Sequence, residues 1–248
     1  MGHGAVKNMK NGESDLDDIC VAGITPFTTI DFPGRLAGVF YLQGCPWRCL
    51  YCYNSEFWPL PQAGRSIEIE KILEFLNARK GHLDGIVFSG GEPTLHEHLP
   101  VWMRAVKAFG FEVGLHTGGM DPDRLEQVIP LCGWVGMDIK APFRLYEKVT
   151  RVAGSGFLAR RSAELLLASG ISYEFRTTYH SGVLSEDDVH EMARELASMG
   201  CRYYTLQMFR AEHCPDKDLR ESAVPSVGIS VQLRKTLQAL FSNFKVRE

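Results

Sequence analysis

The sequence predicts an α/β fold built around a largely parallel sheet. Apolar, β-branched runs alternate with segments of helical period through most of the 248 residues. Each helical segment returns the chain to the same end of the sheet, so successive strands run parallel. A curved partial barrel and a doubly wound open sheet both fit this alternation. The predicted strands are Leu36–Leu42, Gly85–Ser89, Phe111–His116, Trp134–Ile139, Ser172–Thr178 and Arg202–Phe209.

Three segments outside these strands carry an amphipathic helical pattern, with apolar residues that recur on one face. Ser66 is a candidate N-cap for the first helix, and Gly200 ends the second. The polar, proline-bearing segment Ala211–Gly228, which precedes the third helix, is predicted to be a mobile loop. The apolar faces comprise Ile69, Ile72, Leu73 and Leu76; Val189, Met192, Ala193 and Leu196; and Leu233, Leu237, Leu240, Phe241 and Phe244.

Composition narrows the class of protein. The chain is 45% hydrophobic, which suffices for one large core, and we expect a single domain over residues 23–248 after a loose polar lead-in over residues 1–22. A net charge of −3 does not indicate the positive surface that binds nucleic acid or an anionic membrane. No apolar segment of the sequence is long enough to span a bilayer. Seven scattered cysteines do not form a secreted disulfide framework, so we expect a cytoplasmic protein.

The most informative motif is the cysteine loop, residues 45–52, in which Cys45, Cys49 and Cys52 have the spacing C-x3-C-x2-C. Three thiolates can hold three irons of a cubane [4Fe–4S] cluster and leave the fourth iron open, whereas an electron-transfer cluster normally has four cysteine ligands. The alternatives are a zinc knuckle or buried free thiols. A zinc knuckle would need a fourth ligand where the chain has Tyr53 and Asn54. The remaining cysteines, which we do not expect to be ligands, are Cys20, Cys132, Cys201 and Cys214.

Polar and glycine-rich residues follow the predicted strands at their carboxyl ends, where both candidate folds place their functional face. Gly90 and Gly91 allow close approach of a ligand to the backbone, and Glu92 could buttress the turn. An ordinary β–α turn is the alternative for this motif. Further along the chain, His116 and Thr117 end the third strand, and Gln207 lies near the end of the sixth. A lone histidine at a strand end is more often structural than catalytic.

Three charged residues at the fourth and fifth strand ends are candidate ligand contacts. Asp138 and Lys140 alternate along the chain and can therefore point to the same side. Such a pair could bind the hydroxyls and the carboxylate of a zwitterionic ligand, although a solvated ion pair is the alternative. Arg176 ends an otherwise apolar strand, and its guanidinium suits bidentate recognition of a carboxylate or a rim salt bridge.

The cysteine spacing, together with the aromatic Tyr51 beside the third cysteine and the Gly-Gly-Glu-Pro motif one strand later, resembles the radical S-adenosylmethionine (SAM) enzymes. The resemblance implies a partial (β/α)6 barrel, a [4Fe–4S] cluster on Cys45, Cys49 and Cys52, and SAM on the open iron. The resemblance also implies that residues around the cluster contact SAM. With the strand-end candidates described above, the predicted SAM contacts are Tyr51, Tyr53, Gly90, Gly91, Glu92, His116, Thr117, Asp138, Lys140, Arg176 and Gln207.

Further sequence segments resemble one family among the radical SAM enzymes, the glycyl-radical-enzyme activating enzymes. These segments are Gly23–Phe27 and Ile30–Arg35, before the cysteine loop, with support from Met137–Pro142 and Tyr173–Thr178. Within that family the chain is most similar to the activating protein of anaerobic ribonucleoside-triphosphate reductase. The resemblance implies that one electron from a flavodoxin- or ferredoxin-like donor cleaves SAM reductively, and that the 5′-deoxyadenosyl radical takes a hydrogen from a glycine of a partner enzyme. Residues 53–89 are too few for the inserted two-cluster module of some activases.

Two departures from the family pattern leave other functions open. The family usually has histidine where this chain has Tyr53, and it has Asp-Thr-Asn-Gly where this chain has His116-Thr117-Gly118-Gly119. One alternative is a radical SAM enzyme that acts on a small molecule or peptide, such as a carboxy-deazaguanine synthase. A second is an iron–sulfur or zinc-binding interaction module without enzymatic activity.

Overall fold

The computed structural model describes residues 19–60, 66–222 and 228–247. These residues form one sheet of eight strands whose spatial order follows the chain. β1 runs antiparallel to β2, and every later neighbour pair is parallel. The strands are β1 (Val21–Thr28), β2 (Ala37–Leu42), β3 (Gly85–Gly90), β4 (Glu112–Thr117), β5 (Trp134–Asp138), β6 (Ser172–Tyr179), β7 (Tyr203–Met208) and β8 (Asn243–Arg247).

This strand order decides between the two architectures that the sequence left open. A doubly wound sheet reverses its strand order at a switch point, whereas a barrel adds each strand to the same side. The observed order has no reversal, and within the described residues β1 and β8 do not pair, so the barrel is partial. The predicted α/β partial barrel is confirmed, and its six predicted strands correspond to β2–β7.

Helices connect the parallel strands. The helices are α1 (Ile69–Arg79), α2 (Leu99–Ala108), α3 (Pro122–Val128), α4 (Tyr146–Thr150), α5 (Ser155–Ala168), α6 (Glu186–Ser198), α7 (Lys217–Glu221) and α8 (Val231–Leu240). α6 buries the whole predicted apolar face, and Ser185 and Asp188 close its amino end as a reciprocal capping box. No helix in the described part of the chain is both long and apolar enough to cross a membrane.

Several sequence-based boundaries need correction. The N-cap of α1 is Glu68 and not Ser66, and the last helix ends at Leu240, so Phe244 belongs to β8. β1 begins at Val21, which places the predicted domain boundary after residue 22 inside a strand; residues 1–18 of the predicted lead-in lie outside the described residues. The predicted loop 211–228 contains the helix α7, and its residues 223–227 are also outside the described ranges.

The interior of the barrel is filled at its lower end by one side chain that comes from outside the sheet. Phe32, in the turn after β1, is 3% exposed and packs with Val39, Val87 and Trp134 as a separate apolar cluster. The ring has room because a neighbouring strand position is glycine: a Cβ at Gly85 would lie 2.9 Å from the Phe32 ring. The upper end, at the carboxyl ends of the strands, stays open for a site.

Candidate functional site

A cavity of about 450 Å³ opens at the carboxyl ends of the strands. Every residue that the sequence analysis put forward as a site residue lines it. These are Cys45, Cys49, Tyr51, Cys52, Tyr53, Gly90, Gly91, Glu92, His116, Thr117, Asp138, Lys140, Arg176 and Gln207. The sequence analysis did not select other lining residues, among them Ile30, Asp31, Trp47, Ser89, Met120, Thr178, Met208, Arg210 and Arg247.

The cysteine loop is held in place by backbone hydrogen bonds to two other segments. The N–H of Gly44 donates to the carbonyl of Phe57 at 2.8 Å, and the N–H of Arg48 donates to the carbonyl of Thr150 at 2.8 Å. From inside the loop, the hydroxyl of the buried Tyr51 donates to the carbonyl of Lys140 at 2.9 Å. The conformation of the loop is therefore fixed by the protein itself.

The three thiols of this loop are free and face the same cavity. Burial raises the pKa of Cys45 to about 12 and that of Cys49 to about 11, although the nearby Lys140 ammonium opposes the shift at Cys49. Within the described ranges, no three His, Cys, Asp or Glu side chains are grouped so that they could hold one metal ion. In a cubane cluster each thiolate would bind a different iron, so the three thiols need not converge on one metal ion.

Gly90 and Gly91 serve the packing of the backbone. Gly90 has φ +105°, a region that favours glycine, and a Cβ on Gly91 would lie 2.2 Å from the carbonyl oxygen of Gly44. In the same place the N–H of Gly91 donates to the carbonyl of Leu42 at 2.8 Å, and that of Glu92 donates to Gly44 at 2.9 Å. The expected close approach thus occurs against the strand that leads into the cysteine loop, which couples the two motifs mechanically.

Glu92 is a buried carboxyl group, 2% exposed, and it buttresses the turn as expected. Its Oε1 accepts hydrogen bonds from the hydroxyls of Thr94 and Thr117, both at 2.7 Å, and its Oε2 accepts from the N–H of Gly118 at 2.7 Å. Burial raises its pKa, while these donors act in the opposite direction. Because the group lines the cavity, an ammonium ligand there would supply the positive charge that a buried carboxylate requires.

Asp138, Lys140 and Arg176 form a charged network on the wall of the cavity next to the cysteine loop. Lys140 Nζ lies 2.8 Å from Oδ2 of Asp138, and Arg176 Nε lies 3.0 Å from Oδ1. Burial favours the neutral acid, but the two cations prevail and hold the pKa of Asp138 well below its usual range. The network carries two positive charges and one negative charge, so it can accept one further anionic group.

His116 is a neutral hydrogen-bonding bridge between β3 and the turn after β1. Its Nε2 lies 2.9 Å from the carbonyl oxygen of Asp31, which can only accept, so Nε2 carries the proton and Nδ1 is left to accept from the hydroxyl of Ser89, 3.4 Å away. Burial, followed by the charge of Arg176, lowers the pKa of His116 to about 4. The histidine therefore fixes the position of Asp31 at the edge of the cavity.

The segment after β7, residues 210–216, packs against the cysteine loop. The carbonyl of His213 accepts from the hydroxyl of Ser55 at 3.1 Å, and the His213 ring meets the edge of Tyr53 with centroids 5.1 Å apart. Cys214 is buried, with Sγ 3.4 Å from the carbonyl oxygen of Leu50. Its position beside the loop could not be read from spacing, because the two segments are distant in sequence.

Arg247 is the functional candidate that the sequence analysis missed most clearly. It lies beside Gln207 in the β7–β8 register, lines the cavity and pairs with the buried Glu174, with Nη2 3.2 Å from Oε1. The alternation of apolar and charged residues around Arg247 is a signal for a strand. The sequence analysis instead counted Phe244, in the same segment, as part of the last helix.

Comparison with known proteins places the chain in a family. The profile described as the Radical SAM superfamily matches residues 39–196, more than half of the chain. This chain belongs to the radical SAM superfamily. It is accordingly a radical SAM enzyme, and its cofactors are a [4Fe–4S] cluster and SAM.

Individual relatives of this radical SAM enzyme agree with that placement. A Methanocaldococcus jannaschii protein provisionally named a glycyl-radical enzyme activating enzyme is 29% identical over 235 residues, which cover 92% of this chain and 95% of that protein. The pyruvate formate-lyase 1-activating enzyme of Escherichia coli is 32% identical over 124 residues, which cover 45% of this chain and 48% of the relative. A solved structure of anSMEcpe with bound AdoMet shares the fold, with a TM-score of 0.54 at 16% identity over 68% of this chain and 49% of that one.

Proposed function

We propose that this radical SAM enzyme activates a glycyl-radical enzyme by installing a radical on a backbone glycine of that partner. The observation that carries the proposal is the similarity to the M. jannaschii relative, which extends over almost the whole of both chains. The shorter match to the E. coli pyruvate formate-lyase 1-activating enzyme supports the same chemistry. The alternative of a radical SAM enzyme for a small molecule or peptide has no comparable support.

The cavity suggests how the cofactors are held. Cys45, Cys49 and Cys52 would bind three irons of the cluster, and the absence of a fourth cysteine in the loop leaves one iron for SAM. When bound, the cluster supplies the electron that cleaves SAM reductively. The free thiols, fixed by the backbone of their loop, and their common cavity fit this assignment.

The polar wall fits the zwitterionic end of SAM. Glu92 would accept the ammonium group, since it is a buried carboxyl group whose described partners are neutral donors. The Asp138–Lys140–Arg176 network would take the carboxylate through its surplus positive charge and the ribose hydroxyls through Asp138. Gly90, Gly91, Thr117, Tyr51, Tyr53, His116 and Gln207 would complete the shell around it, His116 as the neutral bridge described above.

We propose that the partner enzyme is anaerobic ribonucleoside-triphosphate reductase. This proposal rests on the two sequence segments before the cysteine loop, Gly23–Phe27 and Ile30–Arg35. In the fold these runs form β1 and the turn after it, where Asp31 and the 66% exposed Ile30 border the cavity. A segment of a partner would pass this edge on its way to the cofactors. A soluble one-electron donor completes the set of partners.

The test is direct. Protein reconstituted with iron and sulfide without oxygen should form 5′-deoxyadenosine from SAM under reduction, and it should produce a glycyl doublet in the EPR spectrum of anaerobic ribonucleotide reductase. A doublet on pyruvate formate-lyase alone would keep the reaction and replace the client. SAM cleavage without a radical on any glycyl-radical enzyme would refute the proposed function.

A further inference from the structure

The outer surface of the cysteine loop is small and defined by two residues. Trp47, Cys49 and Tyr51 are 3%, 6% and 5% exposed, whereas Pro46 and Arg48 are exposed. The three cysteines face the cavity, so Pro46 and Arg48 form the protein surface nearest to them along the loop. An electron from a second protein that docks here would cross only the loop itself on its way to the cysteines.

Arg48 is held against the loop it covers. Its guanidinium lies 5.2 Å from the centroid of the Trp58 ring and donates to the carbonyl of Trp47 at 2.9 Å, and also to that of Cys45. A cation that is already ordered loses little conformational entropy when a partner binds. The side chain thus presents a fixed positive charge over the cysteine loop.

A second exposed arginine stands beside it. The N–H of Arg48 bonds to the carbonyl of Thr150, and the next residue, Arg151, ends α4 in the left-handed region with φ 62°. Lys148 of α4 is also exposed, while the nearby Glu147 accepts the N–H of Gly154 at 2.6 Å. Together, Arg48, Lys148, Arg151 and Glu147 have a net positive charge. The whole chain has a net charge of −3, so the positive charge is a local feature of the surface around these residues.

We propose that Pro46, Arg48 and Arg151 form the docking face for an acidic one-electron carrier protein. The carrier gives up one electron and the enzyme's cluster receives it, with no proton or atom transferred. Transient redox complexes bury little surface and depend on steering by opposite charges, which the ordered Arg48 and the exposed Arg151 beside it can provide. Docking on this outer face leaves the cavity free for SAM and for the substrate, whatever the substrate is.

The test compares two sources of electrons. Reduced flavodoxin, an acidic carrier, serves as the probe, and dithionite serves as a small reductant that needs no docking face. For Arg151→Asn combined with Arg48→Gln, we expect the association rate of flavodoxin at low salt, and the formation of 5′-deoxyadenosine that it drives, to fall about tenfold, with a weaker dependence on salt. Dithionite-driven cleavage and iron content should match those of the wild type.

Two further variants separate charge from damage to the loop. Arg151→Asn alone removes a charge where asparagine tolerates the backbone conformation, and Arg48→Lys keeps the charge while changing the packing. Arg234→Gln, on the exposed face of α8, is the matched control and should bind flavodoxin as the wild type does. Equal flavodoxin kinetics in the double variant and the wild type would overturn the proposal. So would equal losses with both reductants, since the arginines would then act on the loop itself.

Discussion

The Nε of Arg176 lies 3.0 Å from Oδ1 of Asp138, and these two residues are also register partners on β6 and β5. The side chain of Arg176 is only 8% exposed, so the contact lies largely out of water. Lys140 takes the second oxygen of the same carboxylate, which therefore has two cationic partners. The wall of the cavity next to the cysteine loop, where the hydroxyl of Tyr51 donates to the carbonyl of Lys140, depends on this arrangement.

Removal of one cation should destabilise the fold measurably. For Arg176→Gln we expect the free energy of unfolding to fall by about 1–3 kcal/mol, because the partly buried carboxylate of Asp138 loses a charged donor that is itself only 8% exposed. Urea unfolding monitored by circular dichroism measures the change. Arg144→Gln breaks an ion pair with Glu191 whose side chains are 59% and 37% exposed, and it should cost clearly less stability, because water screens the pair. Equal losses in the two variants would show that the Arg176 pair is solvated.

Gly91 should tolerate no side chain. In Gly91→Ala the new methyl group would meet the carbonyl of Gly44, which is backbone and cannot rotate away, so the cysteine loop must shift. We expect a loss of about 1–3 kcal/mol in stability and less iron bound per chain after reconstitution. In Gly23→Ala the nearest atoms lie 3.7 Å away, and this variant should reconstitute normally. Full iron content in Gly91→Ala would contradict the coupling of the two motifs.

His116 should make stability depend on pH in a defined window. Its pKa is about 4 in the fold against its ordinary value of 6.5, so the unfolded chain binds more protons between these values. Stability is therefore lost as the pH falls from 6.5 to 4, by an amount on the order of 3 kcal/mol. In His116→Gln this part of the pH dependence of stability should be absent. Urea unfolding of the wild type and of the variant at several pH values measures the difference. Parallel profiles would mean that the histidine is not buried as a neutral group.

Cluster assembly should require the cysteines of the loop and should not require the other buried cysteines. Cys49→Ala should abolish cluster assembly, measured as iron and sulfide per chain and as an EPR signal that responds to SAM, while far-ultraviolet circular dichroism stays native. Cys132→Ser, outside the loop, should assemble the cluster normally, since Cys132 donates only to the carbonyl of Val128. SAM cleavage by Cys49→Ala would show that the ligands are assigned wrongly.

The residues that line the cavity could be predicted from the sequence better than the edges of the sheet. β2, β3 and β5 are mostly apolar and buried on both faces, which is the pattern of a parallel sheet, and the carboxyl ends of parallel strands lie at the same end of the sheet. That is why residues as distant as Cys45 and Gln207 could be assigned to one cavity. Their partners across the cavity, such as the carbonyl of Asp31 for His116, follow from three-dimensional packing and carry no sequence signal.

Both missed strands lie at the sheet edges. β1 contains Pro26 and exposed positions, which are tolerated because one side of an edge strand needs no ladder partner, but which argue against a strand in sequence. β8 is short and charged, and Phe244 happens to continue the spacing of the preceding helix. The error removed Arg247 from the predicted site, because its place in the cavity depends on strand geometry.

Phe32 fills part of the barrel interior with a ring that no strand supplies. The ring enters from a turn and stacks on Trp134 with centroids 6.0 Å apart, and it packs next to the cavity without lining it. A smaller residue at position 32 would therefore extend the free volume of the barrel interior without removing a side chain of the sheet. A side chain at Gly85 or Gly114 would meet the Phe32 ring, so these positions and residue 32 would have to be redesigned together.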